Sequence, residues 1–345
     1  MIRSTVFAAL LLGLAMPSAR GVEPTIGLLT IVEGDLVVVR EAHELAATEG
    51  MQLRSEDIVR SRGGTRLARL ELDDGTLLDI GPDTDLLLQP KAFAAPAEDG
   101  TSLYLLRGWL KATTAAAKGA RSVALASPHF GVARVAGSVV VHATAQASLV
   151  FVETGRAEVL ERAAGKPGAV YRLIDGDAFA ARATASGAVL RRPPPDLIDG
   201  LPRAFADSLP RRAARWQGRA VEPGPQSEPS YASLAPWLHA EPALRASFVK
   251  RFRPLAHERI FRASLVAELR AHPEWSSVLF PEKNRPKPTA VARRAVVPQA
   301  QAQAQAAGPK AAPASADPST PPPAAPVNPS SAGPTVAQAP KTEIT

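Results

Sequence analysis

The chain has 345 residues with 33 Pro, 24 Gly and no Cys, and 40 Lys+Arg against 33 Asp+Glu leave a formal charge of +7. The length admits two domains, but so many prolines place part of the chain outside any packed core. Lack of cysteine excludes disulfides and thiolate metal sites, so stability must come from core burial.

At the N-terminus, Met1-Ile2-Arg3 precedes an apolar run from Val6 to Met16. That run is too short to span a bilayer, which takes about twenty residues. Pro17 and the small residues Ser18, Ala19 and Gly21 follow it. The pattern predicts a secretory signal peptide over 1–21, cut after Ala19 or Gly21. No Cys follows the run, which excludes a lipid-anchored lipoprotein. No later stretch is apolar and long enough to cross a membrane. The expectation is a periplasmic or secreted protein without a transmembrane segment in its mature chain.

Residues 22–190 read as a β domain of short antiparallel strands and hairpins separated by Gly- and Asp-containing turns. Expected strands include Leu28–Val32, Leu36–Arg40, Arg66–Leu72, Leu77–Ile80, Leu103–Lys111, Val139–His142, Leu149–Glu153 and Ala157–Glu161. In "ARLELDDGTLLDIGPDTDLLL" (68–88) the loop length decides the register. A two-residue loop would set Glu71 opposite Leu78 and mix charge with aliphatic groups on one face. The three-residue loop Asp73-Asp74-Gly75 pairs Leu70 with Leu78 and Ala68 with Ile80, and sets Arg69 opposite Asp79. That register gives one apolar face, and Gly75 supplies the left-handed residue closing the loop. The Asp pair then reads as a solvated turn rather than a catalytic dyad, which would need a cleft and a raised pKa. A second hairpin is expected in "VFVETGRAEV" (150–159), turning at Thr154-Gly155.

"RRPPPDL" (191–197) marks a boundary, because consecutive prolines cannot continue a central strand. Residues 191–236 read as linker. From 237 to 285 the period becomes helical. Leu244, Phe248, Phe252 and Leu255 share one stripe starting just after Pro242, and Phe261, Leu265 and Leu269 form another that Pro273 stops. These segments predict a small helical hairpin. Residues 286–345 hold 13 prolines and a "QAQAQA" tract but no aromatic residue, so this Pro/Ala-rich tail is expected to be disordered. The excess positive charge falls in the helical segment. Its apolar stripe must face inward, so Arg245, Lys250, Arg251, Arg259 and Arg262, with Arg253 and Arg270, are expected to point outward, either toward an anionic partner or only to offset the weakly acidic β domain on which the helices pack.

Residues able to carry chemistry are scattered. The six histidines, His43, His129, His142, His239, His257 and His272, have no metal-site spacing. "DTD" (83–85) and "DGD" (175–177) lack the further oxygens of a calcium loop. Ser127 and Ser138 lack a nucleophile-elbow context. The basic run at Arg191, Arg192, Arg211, Arg212 and Arg215 reads as a solvated flank. An exported protein with few aromatics on its basic segment is not expected to bind nucleic acid. No cofactor is expected.

Five segments occur in an order that resembles the FecR-type periplasmic domain family: "GMQLRSEDIVRS" (50–61), "LELDDGTLLDIGPDTDLLL" (70–88), "LYLLRGWLK" (103–111), "SPHFGVARVAGSVVV" (127–141) and "LVFVETGRAEV" (149–159). The resemblance assigns structural turns to Asp57, Gly75, Gly137 and Gly155. Glu56 stands where that family has Gly, and Ser138 where it has Thr. "YRLIDGDAF" (171–179) echoes the first segment, with Gly176-Asp177 in place. The family's sigma regulators place a cytoplasmic helical domain and a membrane span before this domain, whereas only a signal sequence is expected here. The resemblance therefore implies a secreted, non-enzymatic binding, scaffold or signalling-accessory module whose partner is an envelope protein or an anionic envelope polymer. The alternative is an envelope-modifying hydrolase with a site in 198–285.

Overall fold

The runs Val37-Val38-Val39, Leu86-Leu87-Leu88 and Val139-Val140-Val141 are apolar at every position. Strands of that kind need both faces covered. In the computed structural model, which describes residues 25–93, 100–114, 122–163, 166–219, 221–224 and 226–284, all of them but the half-buried Val37 are fully buried. The chain divides into units over 1–287 and 288–345, and the second lies wholly outside the described residues. So do the expected signal peptide and the whole of the expected disordered tail.

The fold is mainly β. The strands are β1 (Thr25–Glu33), β2 (Leu36–Arg40), β3 (His43–Ala46), β4 (Gln52–Arg54), β5 (Ile58–Ser61), β6 (Leu67–Leu72), β7 (Leu77–Ile80) and β8 (Asp85–Leu88). They continue as β9 (Gly100–Thr113), β10 (Ser122–Ala126), β11 (Phe130–Ala143), β12 (Ala147–Ala163), β13 (Lys166–Ile174), β14 (Ala178–Arg182), β15 (Ala185–Leu190) and the short β16 (Gln226–Ser227). The helices are α1 (Pro195–Gly200), α2 (Tyr231–Leu238), α3 (Pro242–Arg251), α4 (Arg259–Ala267) and α5 (Ser276–Leu279).

Three long strands, β9, β11 and β12, change neighbours halfway along. The first half of β9 pairs with β8 and β10, and the second with β7 and β11. Strand β12 pairs with β14 over 147–151 and with β13 over 156–163. The sheet is thus bent into two leaves that share these strands, a known way of turning a corner in a β-sandwich. One leaf carries β2, β5 and β8, and the other β1, β6 and β7. Between them lies the main core, with Val38, Val59, Leu86 and Leu105 from one leaf and Leu29, Leu70, Leu78, Val139 and Val150 from the other. Burying each such aliphatic side chain contributes roughly 1.5–3 kcal/mol. The pairing is mixed rather than purely antiparallel, since β9 and β10 run parallel.

The expected hairpin at Thr154-Gly155 is absent, because β12 continues straight through it. Gly137 of β11 and Gly155 of β12 lie opposite each other with φ of +123° and +87°. A Cβ on Gly155 would sit 1.9 Å from the Ala136 carbonyl oxygen. The turn chemistry seen in the sequence is real, but it creases two paired strands instead of reversing one. The expected apolar hairpin at 68–80 forms with Ala68 opposite Ile80, Arg69 opposite Asp79 and Leu70 opposite Leu78.

Residues 191–219, read as linker, are a packed strap. Leu197, Ala204 and Phe205 close over Ile31, Leu67, Trp109 and Val140 on the outer face of the second leaf. The strap is pinned by Arg69 Nη1 to the Leu209 carbonyl (2.8 Å) and Lys111 Nζ to the Phe205 carbonyl (2.7 Å). On the opposite outer face, Leu244, Phe248, Phe252, Phe261 and Leu265 cover Val39, Ile58, Leu87 and Tyr104. Pro242 opens α3, and α4 ends ahead of Pro273. Short 3-10 turns, α5 and α2 add to the expected pair of helices, and α2 starts at Tyr231, inside the segment read as linker.

Candidate functional site

The turns singled out in the sequence hold the fold. Asp57 is buried, takes two hydrogen bonds from Arg40 (2.9 and 2.6 Å) and accepts from the Arg54 N–H at 2.8 Å. Beside it, Glu56 adopts a left-handed φ of +67°, a conformation that Gly adopts without steric cost. Gly75 has φ +83° and closes its loop by donating to the Leu72 carbonyl at 2.9 Å. Asp74 accepts from the Thr76 N–H (2.9 Å) and the Thr101 hydroxyl (2.7 Å). Asp73 differs, because desolvation and the neighbouring Asp74 charge hold its carboxyl above the usual range.

Both Asp-x-Asp stretches are structural hubs. Asp85, fully buried, accepts from Arg60 (2.9 Å), Arg107 (2.6 Å) and the Trp237 indole (3.3 Å), tying the helices to the sheet. Asp177 takes both contacts of Arg191 at 3.1 Å and accepts from the Ile174 N–H. Ser127 donates to the Phe130 carbonyl, and Ser138 to Glu153 at 2.8 Å. Glu241 and Glu274, in the segment considered for a hydrolase, are ion-paired with Arg162 and Arg245.

Folding brings two histidines together that sequence spacing kept apart. The Tyr231 hydroxyl lies 3.2 Å from His239 Nε2 and 3.1 Å from His272 Nε2, linking both ends of α2 to the corner after α4. Burial lowers the His272 pKa and raises that of Tyr231. His129 bonds Ser148 at 2.9 Å and His142 stacks on Trp109 at 3.9 Å, and burial lowers the pKa of both. His43 lies in β3, and His257 is exposed after α3. Among the described residues no group of three or more His, Asp or Glu side chains gathers to hold a metal.

The cations of the helical segment divide. Arg251 donates to the carbonyls of Val39 (2.6 Å), Glu56 (2.5 Å) and Glu41 (3.1 Å). Arg245 donates to Ala271 O and Glu274, and Arg262 to Leu279 O. These three do not point outward as expected. Their guanidiniums satisfy strand-end and helix-end carbonyls that the interface would otherwise bury unpaired. Lys250, Arg253, Arg259 and Arg270 are exposed.

One stretch of sheet lies outside both covering layers. On the ribbon of β11, β12 and β13, inward positions such as Val132, Val159 and Leu173 are buried, while Ala133, Arg156, Val170, Arg172 and Ile174 face outward. Val170 and Ile174 are 63% and 60% exposed. Leu160 pairs with Val170, and Arg156 with Ile174. Arg134 and Arg172 approach Glu158 at 3.8 and 3.6 Å, loose surface pairs that leave the face net positive. At the crease a cavity of about 450 Å³ is lined by Ala136, Gly155, Arg156, Ile174 and Asp175. Strand β13 pairs with β12 on one edge, and no strand among the described residues pairs with the other. Sequence reasoning missed this ribbon, although the exposed alternation of Val170, Arg172 and Ile174 is visible in "AVYRLI".

No known family's sequence profile matches the chain, and no curated protein matches it. Among solved structures it is similar to two crystal structures of a "putative anti-sigma factor" from Parabacteroides distasonis ATCC 8503. Each has 21% identity and a TM-score of 0.31, covering 39% of this chain and 57% of the other. The chain thus spans just over half the length of the solved chains it matches. No helix among the described residues is long and apolar enough to cross a membrane.

Proposed function

We propose that this chain is a secreted, non-enzymatic FecR-type module of the periplasm or cell envelope. In this reading the creased ribbon docks an extended acidic segment of an envelope protein. The observation that carries it is the free edge of β13, nine residues long, with Val170 and Ile174 outward beside Arg156 and Arg172. Strand addition to such an edge draws affinity from main-chain hydrogen bonds and specificity from alternate side chains. A long exposed edge invites aggregation unless a partner or charge manages it. Here the charge is cationic, which favours acidic residues in the added strand. The five segments that resemble the family all fall in β4 to β12, within the sandwich, while strap and helices lie outside them. One further observation supports a non-enzymatic role: Asp57, Asp79, Asp85 and Asp177 are each engaged by an arginine.

The test uses the full chain and a fluorescent decapeptide alternating Val and Glu. Wild type should bind it saturably, and Arg172→Glu and Ile174→Lys should each weaken binding about tenfold with an unchanged circular dichroism spectrum. Binding that survives both substitutions would remove the ribbon from the proposal. Fractionation should place the protein in the periplasm or medium, with a mature N-terminus at Arg20 or Val22. An intact Met1 on membrane-bound protein would overturn the secreted reading.

A further inference from the structure

Where the strap leaves Phe205 and Leu209 it crosses the sandwich edge and forms a second, separate cleft. Arg211 donates to the Gly75 carbonyl (2.5 Å) and the Arg212 N–H to Glu71 Oε1 (2.5 Å), clamping the strap to the tip of the β6–β7 hairpin. The chain then turns through residues 213–216 and lays Trp216 against Gly50. A Cβ on Gly50, whose φ is +87°, would sit 2.5 Å from Trp216 Cε3, so the backbone makes room for the indole there. Between strap and sheet is a cleft of about 520 Å³ lined by Thr25, Gln52, Glu71, Asp73, Trp216 and Arg219, among others.

Its lining has a distinct chemistry. Two carboxylates, an amide, a hydroxyl and a guanidinium offer both donors and acceptors, most of them on planar groups. Thr25 and Gln52 are already aligned, hydroxyl to amide oxygen, at 3.3 Å. The Trp216 indole N–H is buried and has no acceptor among the described residues, a rarity for a polar group out of water. Asp73, exposed at the rim, is the carboxyl held above its usual range by desolvation and by Asp74. A concave site of this size, with an aromatic wall, a few convergent polar groups and a perturbed acid, has the form of a small-molecule site.

We infer that this cleft binds a neutral saccharide, with a pyranose ring against Trp216 and its hydroxyls on Asp73, Glu71, Gln52 and Arg219. The apolar C–H face of such a ring suits the negative face of an indole. Sugar hydroxyls both donate and accept, which matches a mixed set of planar groups. A phosphate or other anion would meet two carboxylates. The inference is independent of the docking ribbon, which lies on different strands.

The experiment titrates the full chain with triacetylchitotriose, cellotriose and maltotriose, and with choline as a cationic probe, read by calorimetry and tryptophan fluorescence. At least one trisaccharide should bind saturably below 10 mM. Trp216→Ala should weaken it at least tenfold and Asp73→Asn about fivefold, with the melting transition of the Asp73→Asn protein unchanged. Saturation by choline alone, no saccharide binding at 10 mM, or binding unaltered by both substitutions would each overturn it.

Discussion

Arg69 donates from Nε and Nη2 to the two carboxylate oxygens of Asp79, at 2.6 and 2.8 Å, and the pair is buried beneath the strap. The Asp79 hydrogen bond holds the Arg69 pKa above its ordinary value. A third guanidinium contact reaches the Leu209 carbonyl, so this cross-strand pair also anchors the strap. Breaking a buried pair leaves a lone charge in the interior and costs about 3–5 kcal/mol, whereas replacing both partners by apolar residues is often nearly neutral. Asp79→Leu and Arg69→Met should therefore each lower stability, Asp79→Leu by about 3 kcal/mol, and the double variant Arg69→Met/Asp79→Leu should recover most of that loss. Urea denaturation of the four proteins in the cycle measures this. Additive single losses would show that the charges do not act as a pair.

The Gly137–Gly155 crease sets a second expectation. A side chain at Gly155 meets the Ala136 carbonyl oxygen in a backbone conformation that L residues rarely adopt. Gly155→Ala should cost about 3 kcal/mol or prevent folding, because strain and steric overlap act together. Gly75→Ala, which places an L residue at a φ of +83° within a hairpin loop, should cost only about 1 kcal/mol. Equal shifts in urea midpoint would contradict the bent-strand account.

These two sites show what was legible in the chain. Alternation in residues 68–80 determined the hairpin register, because a one-residue slip would turn the apolar set outward. The same local reasoning failed at Thr154-Gly155. A left-handed Gly serves a turn and a bulge equally, and only Gly137 opposite distinguishes them. The strap was missed because Pro and Arg mark it as solvated, yet the unbroken runs Leu86-Leu87-Leu88 and Val139-Val140-Val141 already required cover on both faces. The candidate surfaces were almost wholly illegible. Trp216 and Asp73 are 143 positions apart in sequence, and only the folded strap brings them to one cleft.

Glu56 offers a test of strain without overlap. Its φ of +67° suits Gly, while its carboxylate accepts from the Lys91 N–H. Glu56→Gly exchanges relief of strain against loss of that contact and should stay within about 1 kcal/mol of wild type. Glu56→Val puts a β-branched residue in the same conformation and should cost about 2 kcal/mol. Thermal melts of the two variants should separate clearly, and coincident melts would remove the left-handed conformation at this turn.

Acid sensitivity follows from the buried histidines. His129, His142 and His272 have pKa values lowered by burial, so the unfolded chain binds their protons more readily. Stability from this source is fully present above the unfolded value near 6.5, and is lost as pH falls through the lowered folded values. His272 faces Tyr231 and His239, with Glu268 and Glu274 acting on it electrostatically. The melting temperature should fall between pH 7.5 and pH 5, and His272→Gln should flatten that slope. A slope equal to wild type in the variant would assign acid sensitivity elsewhere.

The helical segment separates structural from free cations, and this division can be measured. Arg251 fills three carbonyls with one planar fork, which a lysine ammonium cannot reproduce. Arg251→Lys should therefore cost about 1–3 kcal/mol, the range for hydrogen bonds to charged groups, and should not alter retention on envelope material beyond what unfolding explains. Lys250 and Arg259 are exposed. Replacing both by Glu should leave the melting temperature within about 1 °C, because surface charges contribute little to stability. If the segment meets an anionic envelope polymer, the same double substitution should lower cosedimentation at low salt. It should make no difference at high salt, where the Debye length shrinks from about 8 Å to about 3 Å. Equal retention of wild type and the double variant at low salt would mean that these helices only cover the sheet.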